Sequence, residues 1–238
     1  MHVPDGFLDV ATSAATGAVA VAGVGLALRG ARRELDDRTA PMAGLVATFV
    51  FATQMVNFPV GAGTSGHLLG GALAAILVGP WTAVLCLAVV LLVQGLLFAD
   101  GGVTALGTNI TLLGIVAVLV GWLVFRGLQV VLPKRLSLVA PAAAVAAFVS
   151  VPAPALVFVV LYAVGGQAPV PLDTLTATML TWHALIGIGE ALITGLVIGS
   201  VVAVRPDLVH GARRVLERRT LELRTPAAPS STGQEARA

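Results

Sequence analysis

The chain has 238 residues, of which 57% are hydrophobic and only 11% charged, and its mean hydropathy is +0.96. This composition excludes a soluble globular domain and is typical of a protein that lies in a lipid bilayer. The pI of about 9.3 comes from basic residues clustered between apolar runs, so it does not indicate a nucleic-acid partner.

The apolar runs predict the helices. A helix that crosses a bilayer needs roughly 20 apolar residues, because its backbone polar groups must be satisfied within it. Residues 67–98 are apolar throughout, but Gly79-Pro80 interrupts them, since proline removes a helical hydrogen bond. The predicted helices are residues 10–28, 41–57, 67–79, 81–98, 109–125, 137–164 and 174–204. The sequence therefore predicts an all-α polytopic membrane protein, with a single membrane domain over 1–224 and a disordered tail over 225–238.

The basic residues predict the orientation. All 14 follow the first, fifth or seventh predicted helix, and with seven helices these three places share one side. The positive-inside rule then puts the N-terminus outside and the C-terminus in the cytoplasm. The outer face carries no basic residue, so it attracts cations; its aspartates are Asp5, Asp9, Asp100 and Asp173.

The first two residues form a metal chelator. No signal peptide is visible, which predicts that the mature protein begins at Met1. The Met1 amine, the His2 backbone nitrogen and a His2 ring nitrogen can close fused five- and six-membered rings around one metal. Such planar nitrogen coordination is typical of Ni(II) or Cu(II), and low-spin Co(II) accepts it.

The alternative for His2 is a frayed terminus. Against it, Pro4 restricts Val3 to extended conformations, and Phe7 and Leu8 are apolar enough to dock the segment onto the helix ends.

A fourth ligand is expected from His67. This histidine closes the loop NFPVGAGTSGH on the same face as the N-terminus. The alternative is a helix-capping loop with a solvated histidine. Soft thiolate coordination finds no support, because Cys86 is the only cysteine and lies in an apolar run.

Four segments resemble the CbiM/NikM family, the substrate-capture subunits of energy-coupling-factor transporters for cobalt and nickel. They are MHVPDGFLD, NFPVGAGTSGHLLGG, LLFADGGVTALGTN and HALIGIGEALIT, and the resemblance runs from Met1 to about residue 204. It implies a metal held by the terminal amine, by the backbone and ring nitrogens of the second-residue histidine, and by a histidine of the second outer loop. In this chain those residues are Met1, His2 and His67.

The resemblance also implies location and partners. We expect a multi-pass protein of a prokaryotic cell membrane that works with a membrane coupling subunit, cytoplasmic ATPase subunits and a small accessory membrane protein. The sequence has no P-loop match, so the chain is predicted to be a transport subunit and no enzyme. Co²⁺ or Ni²⁺ is its transported ligand, and no resident cofactor is expected.

Four further residues are candidates for supporting the metal ligands. Asp100 and Asn109 bound a glycine-rich outer loop that could orient the histidines through hydrogen bonds or be an ordinary turn. His183 and Glu190 are seven residues apart, hence on one stripe of the last helix. An ionisable group such as Glu190 inside a membrane is a functional candidate; the alternative is a helix-packing residue.

Two other functions remain open at this point. An intramembrane metalloenzyme could use His183 and Glu190, but there is no H-E-x-x-H pair. A vitamin-binding subunit of the same transporter class would need an apolar pocket and would have no use for His2. The sequence does not choose between cobalt and nickel.

Overall fold

The computed structural model describes residues 2–36, 39–61 and 64–224. It is mostly helical, at 79%, in agreement with the predicted class. The helices are α1 Val10–Ala31, α2 Thr39–Met55, α3 Gly71–Val78, α4 Pro80–Leu97, α5 Leu106–Asn109, α6 Ala117–Val131, α7 Val139–Ser150, α8 Pro152–Gly165, α9 Leu172–Val204 and α10 Arg213–Arg224. A π-helical stretch, Ile110–Val116, joins α5 to α6, and short 3₁₀ turns precede α7 and α10.

Five helical segments are long and apolar enough to cross a membrane. They are Val10–Ala31, Pro80–Leu97, Leu106–Val131, Leu136–Gly165 and Leu172–Val204. Helix α2 has 17 residues and is nearly long enough. Helix α3 has only eight, which is too few to span a bilayer alone.

The third predicted helix, 67–79, is wrong at its start. Residues 67–70 form neither helix nor strand, and α3 begins at Gly71, after Gly70 takes a left-handed φ of 76°. The predicted interruption at Gly79-Pro80 is confirmed, with Pro80 in the first turn of α4, where its missing N–H costs nothing.

Three other details differ from the prediction. A short antiparallel hairpin, β1 Phe58–Gly61 and β2 Thr64–Gly66, lies in the loop before α3. The run 137–164 is divided between α7 and α8 at Val151, because Pro152 and Pro154 lack backbone N–H donors. Helix α10 was not predicted, and the proposed tail, 225–238, lies outside the described residues.

Helix α3 is the centre of the bundle. All eight of its residues are buried, and it packs against α2, α4, α6 and α7. Close approach to α6 depends on glycine, since a Cβ at Gly121 would lie 2.6 Å from the Ala72 Cβ. Small residues permit such approach between apolar helices.

The links between helices gather at two opposite ends. One end, the site end, holds the N-terminal segment, the hairpin and the α4–α5 and α8–α9 links, which contact one another. The other, the basic end, holds Glu34 after α1, which accepts hydrogen bonds from Trp81 and Thr82 at the start of α4. There too Gln129 of α6 donates to the Gly211 carbonyl.

Candidate metal centre

The N-terminal segment is docked, as its sequence predicted. Phe7 and Leu8 are buried, and the Phe7 ring packs 5.9 Å from Phe158 and 5.7 Å from Tyr162 of α8, measured between ring centroids. The Asp9 N–H donates to the Gly165 carbonyl at 2.7 Å. Burying an aromatic side chain of this size stabilises the docked state by about 1.5–3 kcal/mol.

Val3 is clamped directly beside His2. Its N–H donates to Asn109 Oδ1 at 2.7 Å, and its carbonyl accepts from Asn109 Nδ2 at 3.1 Å and from the Gly102 N–H at 2.9 Å. Asn109 and Val3 are both almost fully buried. A Cβ at Gly102 would lie 2.4 Å from the Asp5 nitrogen, so only glycine lets the loop come this close.

Asp5 adds a second tie between the same two segments. Its Oδ1 accepts hydrogen bonds from the Thr104 N–H, at 2.8 Å, and from the Thr104 hydroxyl. These bonds stabilise the charged form and lower the pKa of the Asp5 carboxyl below its ordinary value.

His2 and His67 stack on each other at the centre of this arrangement. Their ring centroids are 4.4 Å apart with an interplanar angle of 23°, and the two residues are 4% and 1% exposed. The predicted juxtaposition of these two histidines is therefore observed. A solvated His67 in a capping loop is excluded by its burial.

Hydrogen bonds define which ring nitrogens carry protons. His67 Nδ1 lies 2.8 Å from the Leu68 carbonyl, which can only accept, so Nδ1 carries the proton and Nε2 the lone pair. His2 Nδ1 lies 3.0 Å from Asp100 Oδ1, and His2 Nε2 is buried with no hydrogen-bond partner among the described residues.

Burial favours the neutral, metal-binding form of the His2 ring. It lowers the pKa of His2 below its ordinary value of 6.5, although the hydrogen bond with Asp100 opposes this. For Asp100, burial is the largest single influence and favours the neutral form, but the hydrogen bonds from His2 and Asn57 and the neighbouring positive charge together outweigh it and lower the pKa of the carboxyl.

The backbone that follows His67 is held from two helices. Glu190 of α9 accepts hydrogen bonds from the Leu69 N–H, at 2.8 Å, and from the Gly70 N–H, at 2.9 Å. Gln54 of α2 donates to the Leu69 carbonyl at 2.8 Å. Glu190 thus positions the loop that carries His67.

His183 makes no hydrogen bond to this network among the described residues, although it lies close enough to His67 for the two side chains to interact electrostatically. It lies on the buried stripe of α9 with Glu190, as predicted. Its Nδ1 donates to the Met179 carbonyl one turn earlier, at 2.7 Å, and its buried Nε2 has no hydrogen-bond partner in the described part of the chain. Of the four supporting candidates, Asp100, Asn109 and Glu190 contact the site segments directly.

Two glutamines were missed by the sequence reasoning. Gln54 supports the loop that carries His67. Gln94 is fully buried at the base of the loop that carries Asp100, and its backbone carbonyl accepts a hydrogen bond from the Asp100 N–H at 3.0 Å. Neither amide atom of the Gln94 side chain has a hydrogen-bond partner among the described residues. A lone glutamine in each of two apolar helices was the available signal, because buried polar groups in a membrane are costly and functional.

Side chains alone do not complete a coordination sphere here. Within residues 2–36, 39–61 and 64–224, no three histidine, cysteine or acidic side chains converge to hold a metal. A full site at His2 and His67 therefore needs further ligand atoms, such as main-chain nitrogens. Met1, the predicted source of the amine ligand, lies outside the described residues.

A family profile described as the cobalt uptake substrate-specific transmembrane region, CbiM, matches residues 2–208. The chain belongs to the CbiM family. The resemblance noted from the four sequence segments is thereby confirmed. With its five long apolar helices, this CbiM chain is a multi-pass protein of a prokaryotic cell membrane.

Relatives of this CbiM chain have names that concern metal transport. A candidate metal transport protein of Haloquadratum walsbyi is 38% identical over 88% of this chain and 93% of its own length. The fused nickel transport protein NikMN of Rhodobacter capsulatus is 32% identical over 90% of this chain and 65% of its own length. The crystal structure of a transition metal transporter superposes with a TM-score of 0.79 at 30% identity, covering 94% of this chain and all of that one.

Proposed function

We propose that the chain captures Co²⁺ or Ni²⁺ at the His2–His67 centre and carries it as the substrate-binding membrane subunit of a metal importer. The observation that carries the proposal is the stacked, buried pair of His2 and His67 rings, on which the clamped N-terminal segment lies. The CbiM family description names cobalt, and the Rhodobacter capsulatus relative is named for nickel.

The proposed ligands are the Met1 amine, the His2 backbone nitrogen, His2 Nδ1 and His67 Nε2. The six-membered chelate ring closes only through Nδ1, which now faces Asp100. Binding in this form therefore requires the His2 ring to turn about its Cβ–Cγ bond, so that Nε2–H faces the carboxylate. A carboxylate that accepts from the far nitrogen of a ligating histidine orients the ring and raises its basicity.

We also propose seven membrane crossings, with the site end outside and the basic end in the cytoplasm. The third crossing combines the non-helical residues 67–70 with the short helix α3, inside a ring of longer helices that shields its free backbone groups. The support is that the basic clusters after α1, α6 and α9 share one end, opposite His2 and His67.

The metal-capture role needs an energy source from other subunits. We propose a membrane coupling subunit, cytoplasmic ATPase subunits and a small accessory membrane protein as partners. The fused NikMN relative, in which this chain's counterpart is one part of a longer protein, supports a further transport component.

Metal analysis of the purified protein tests the proposal. Protein with its native, untagged N-terminus should bind one equivalent of Ni²⁺ or Co²⁺ tightly and in mutual competition, and the preferred ion identifies the cargo. Binding of neither ion, together with a bound vitamin or a hydrolytic activity, would instead favour a vitamin-binding subunit or an intramembrane metalloenzyme.

A further inference from the structure

A recess at the basic end has a chemistry that the metal centre does not use. It lies between the end of α6, the link from α6 to α7 and the start of α10. Its lining has four cationic side chains, and among the described residues that form it there is no carboxylate; the cations are Arg126, Lys134, Arg135 and Arg214. Such a recess attracts an anion.

The walls of the recess are held in place by hydrogen bonds and packing. Gln129 Nε2 donates to the Gly211 carbonyl at 2.7 Å and so ties α6 to the segment before α10. The Arg126 guanidinium lies 5.6 Å from the centre of the Trp122 ring and donates to Gln129 Oε1 at 3.1 Å. Val139 and Val215, at the base of the recess, are buried.

The cations of the recess lack acidic partners in the part of the chain that the structure describes. The one pair of fully charged side chains in contact there is Arg205–Asp207, outside the recess, while His2 meets Asp100 at the opposite end. Lys134, Arg135 and Arg214 are exposed, and Arg126 is partly buried. The recess is thus an accessible cluster of positive charge with no acidic side chain against it among the described residues.

The apolar half of the lining indicates what kind of anion fits. Besides the cations, the recess is lined by Val130, Leu132, Leu138 and Ala142. Val130 and its neighbour Val131 are 75% and 83% exposed at the end of a helix that is long and apolar enough to cross a membrane. The recess therefore opens where acyl chains meet headgroups, and a free phosphate would contact only half of it.

We propose that this recess binds the headgroup phosphate of an anionic phospholipid, whose acyl chains lie against the apolar wall. Arginine side chains bind phosphate oxygens through paired N–H donors, and lysine adds a point charge. Basic pockets between membrane helices on the cytoplasmic side suit anionic headgroups. The lipid would bridge α6 to α10 at the end opposite the metal centre.

Native mass spectrometry of the full chain in detergent tests this site. The probes are phosphatidylglycerol, phosphatidylcholine with the same acyl chains, and inorganic phosphate. The recess variant combines Arg126→Gln, Lys134→Gln, Arg135→Gln and Arg214→Gln. The control variant removes the same charge at the same end but outside the recess, by Arg29→Gln, Arg32→Gln, Arg33→Gln and Arg218→Gln.

The native and control proteins should retain phosphatidylglycerol about tenfold or more tightly than phosphatidylcholine, and the recess variant should lose this preference. A third variant, with Arg126→Lys, Arg135→Lys and Arg214→Lys, keeps the charge but removes the paired donors, so it should keep a weaker preference than the native protein and a stronger one than the recess variant. This separates loss of the site from loss of the fold. Equal loss in the control variant and the recess variant would refute the site. So would displacement of the lipid by equimolar inorganic phosphate. Absence of any preference in the native protein would leave an acidic protein segment as the occupant.

Discussion

At the residue scale, His67 is the side chain on which metal capture depends most directly. His67→Ala removes the proposed fourth ligand and should lower the affinity for Ni²⁺ or Co²⁺ by about 100-fold or more, beyond the loss expected for a supporting residue. Isothermal titration of the purified protein measures this. His210→Ala is the control, because His210 packs against Trp122 at the basic end, and its affinity should equal that of the native protein. Unchanged binding in the His67 variant would remove His67 from the ligand set.

Asp100 should act through the His2 ring. Asp100→Asn keeps the size of the side chain but weakens its bond to the imidazole, so metal affinity should fall by about 10- to 100-fold. Asp173→Asn removes the same charge from an exposed position at the start of α9 and should have little effect. A similar loss in both variants would indicate that only the overall negative field of the site end matters.

The pH dependence of binding separates the two ways in which His2 could bind a metal. Burial lowers the pKa of His2 below its ordinary value of 6.5, and His67 is buried as well. Protons therefore compete with the metal for these rings mainly in more acid solution, and a histidine pair should lose little affinity from pH 8 to pH 6.5. A terminal amine has a pKa of about 7.7–8.0, and the His2 amide also loses its proton. The chelate should therefore weaken at least about tenfold per pH unit over this range. A flat titration would contradict the chelate.

At the element scale, the N-terminal segment is a component of the metal centre in its own right. Extending the chain by one alanine before Met1 turns the Met1 amine into an amide and removes the fused-ring geometry, although every side chain remains. Binding of Ni²⁺ or Co²⁺ should then fail when it is measured by isothermal titration. The matched control is an alanine added after Ala238, at the other end of the chain. Tight binding by the extended chain, with His2 and His67 still essential, would replace the chelate by a histidine pair.

The helices were largely predictable because membrane-crossing length and proline leave a direct mark on sequence. The exceptions have physical causes. Residues 67–70 continue the apolar run but are not helical, since Glu190 and Gln54 from other helices satisfy the backbone groups of Leu69 and Gly70. No local pattern reports the Glu190 partner, which is 120 residues away from Gly70. The pairing of His2 with His67 was predictable from topology. The hydrogen bonds of Asn109 to Val3 were not, because they depend on how closely two glycine-containing loops approach.

At the scale of the whole molecule, His2 and His67 lie at the end opposite the basic residues, so the orientation of the protein in the membrane can be tested. In a Cys86→Ala background, Val103→Cys at the site end should react with a membrane-impermeant maleimide in intact cells, and Arg33→Cys should react only after lysis. Val103 is 55% exposed and Arg33 is exposed. The opposite labelling pattern would contradict an external site end.

The position of the N-terminal segment in the fold sets the order in which the metal centre assembles during synthesis. The residues that receive the segment come from the α4–α5 link, around Asp100 and Asn109, and from Gly165 and Gln167 after α8. Residues 2–9 are synthesised before all of these partners, so they lack their final contacts until the α4–α5 link and then the end of α8 have been made. The metal centre therefore assembles only after the chain has been synthesised beyond Asn109, and the N-terminal segment is fully docked only after Gln167.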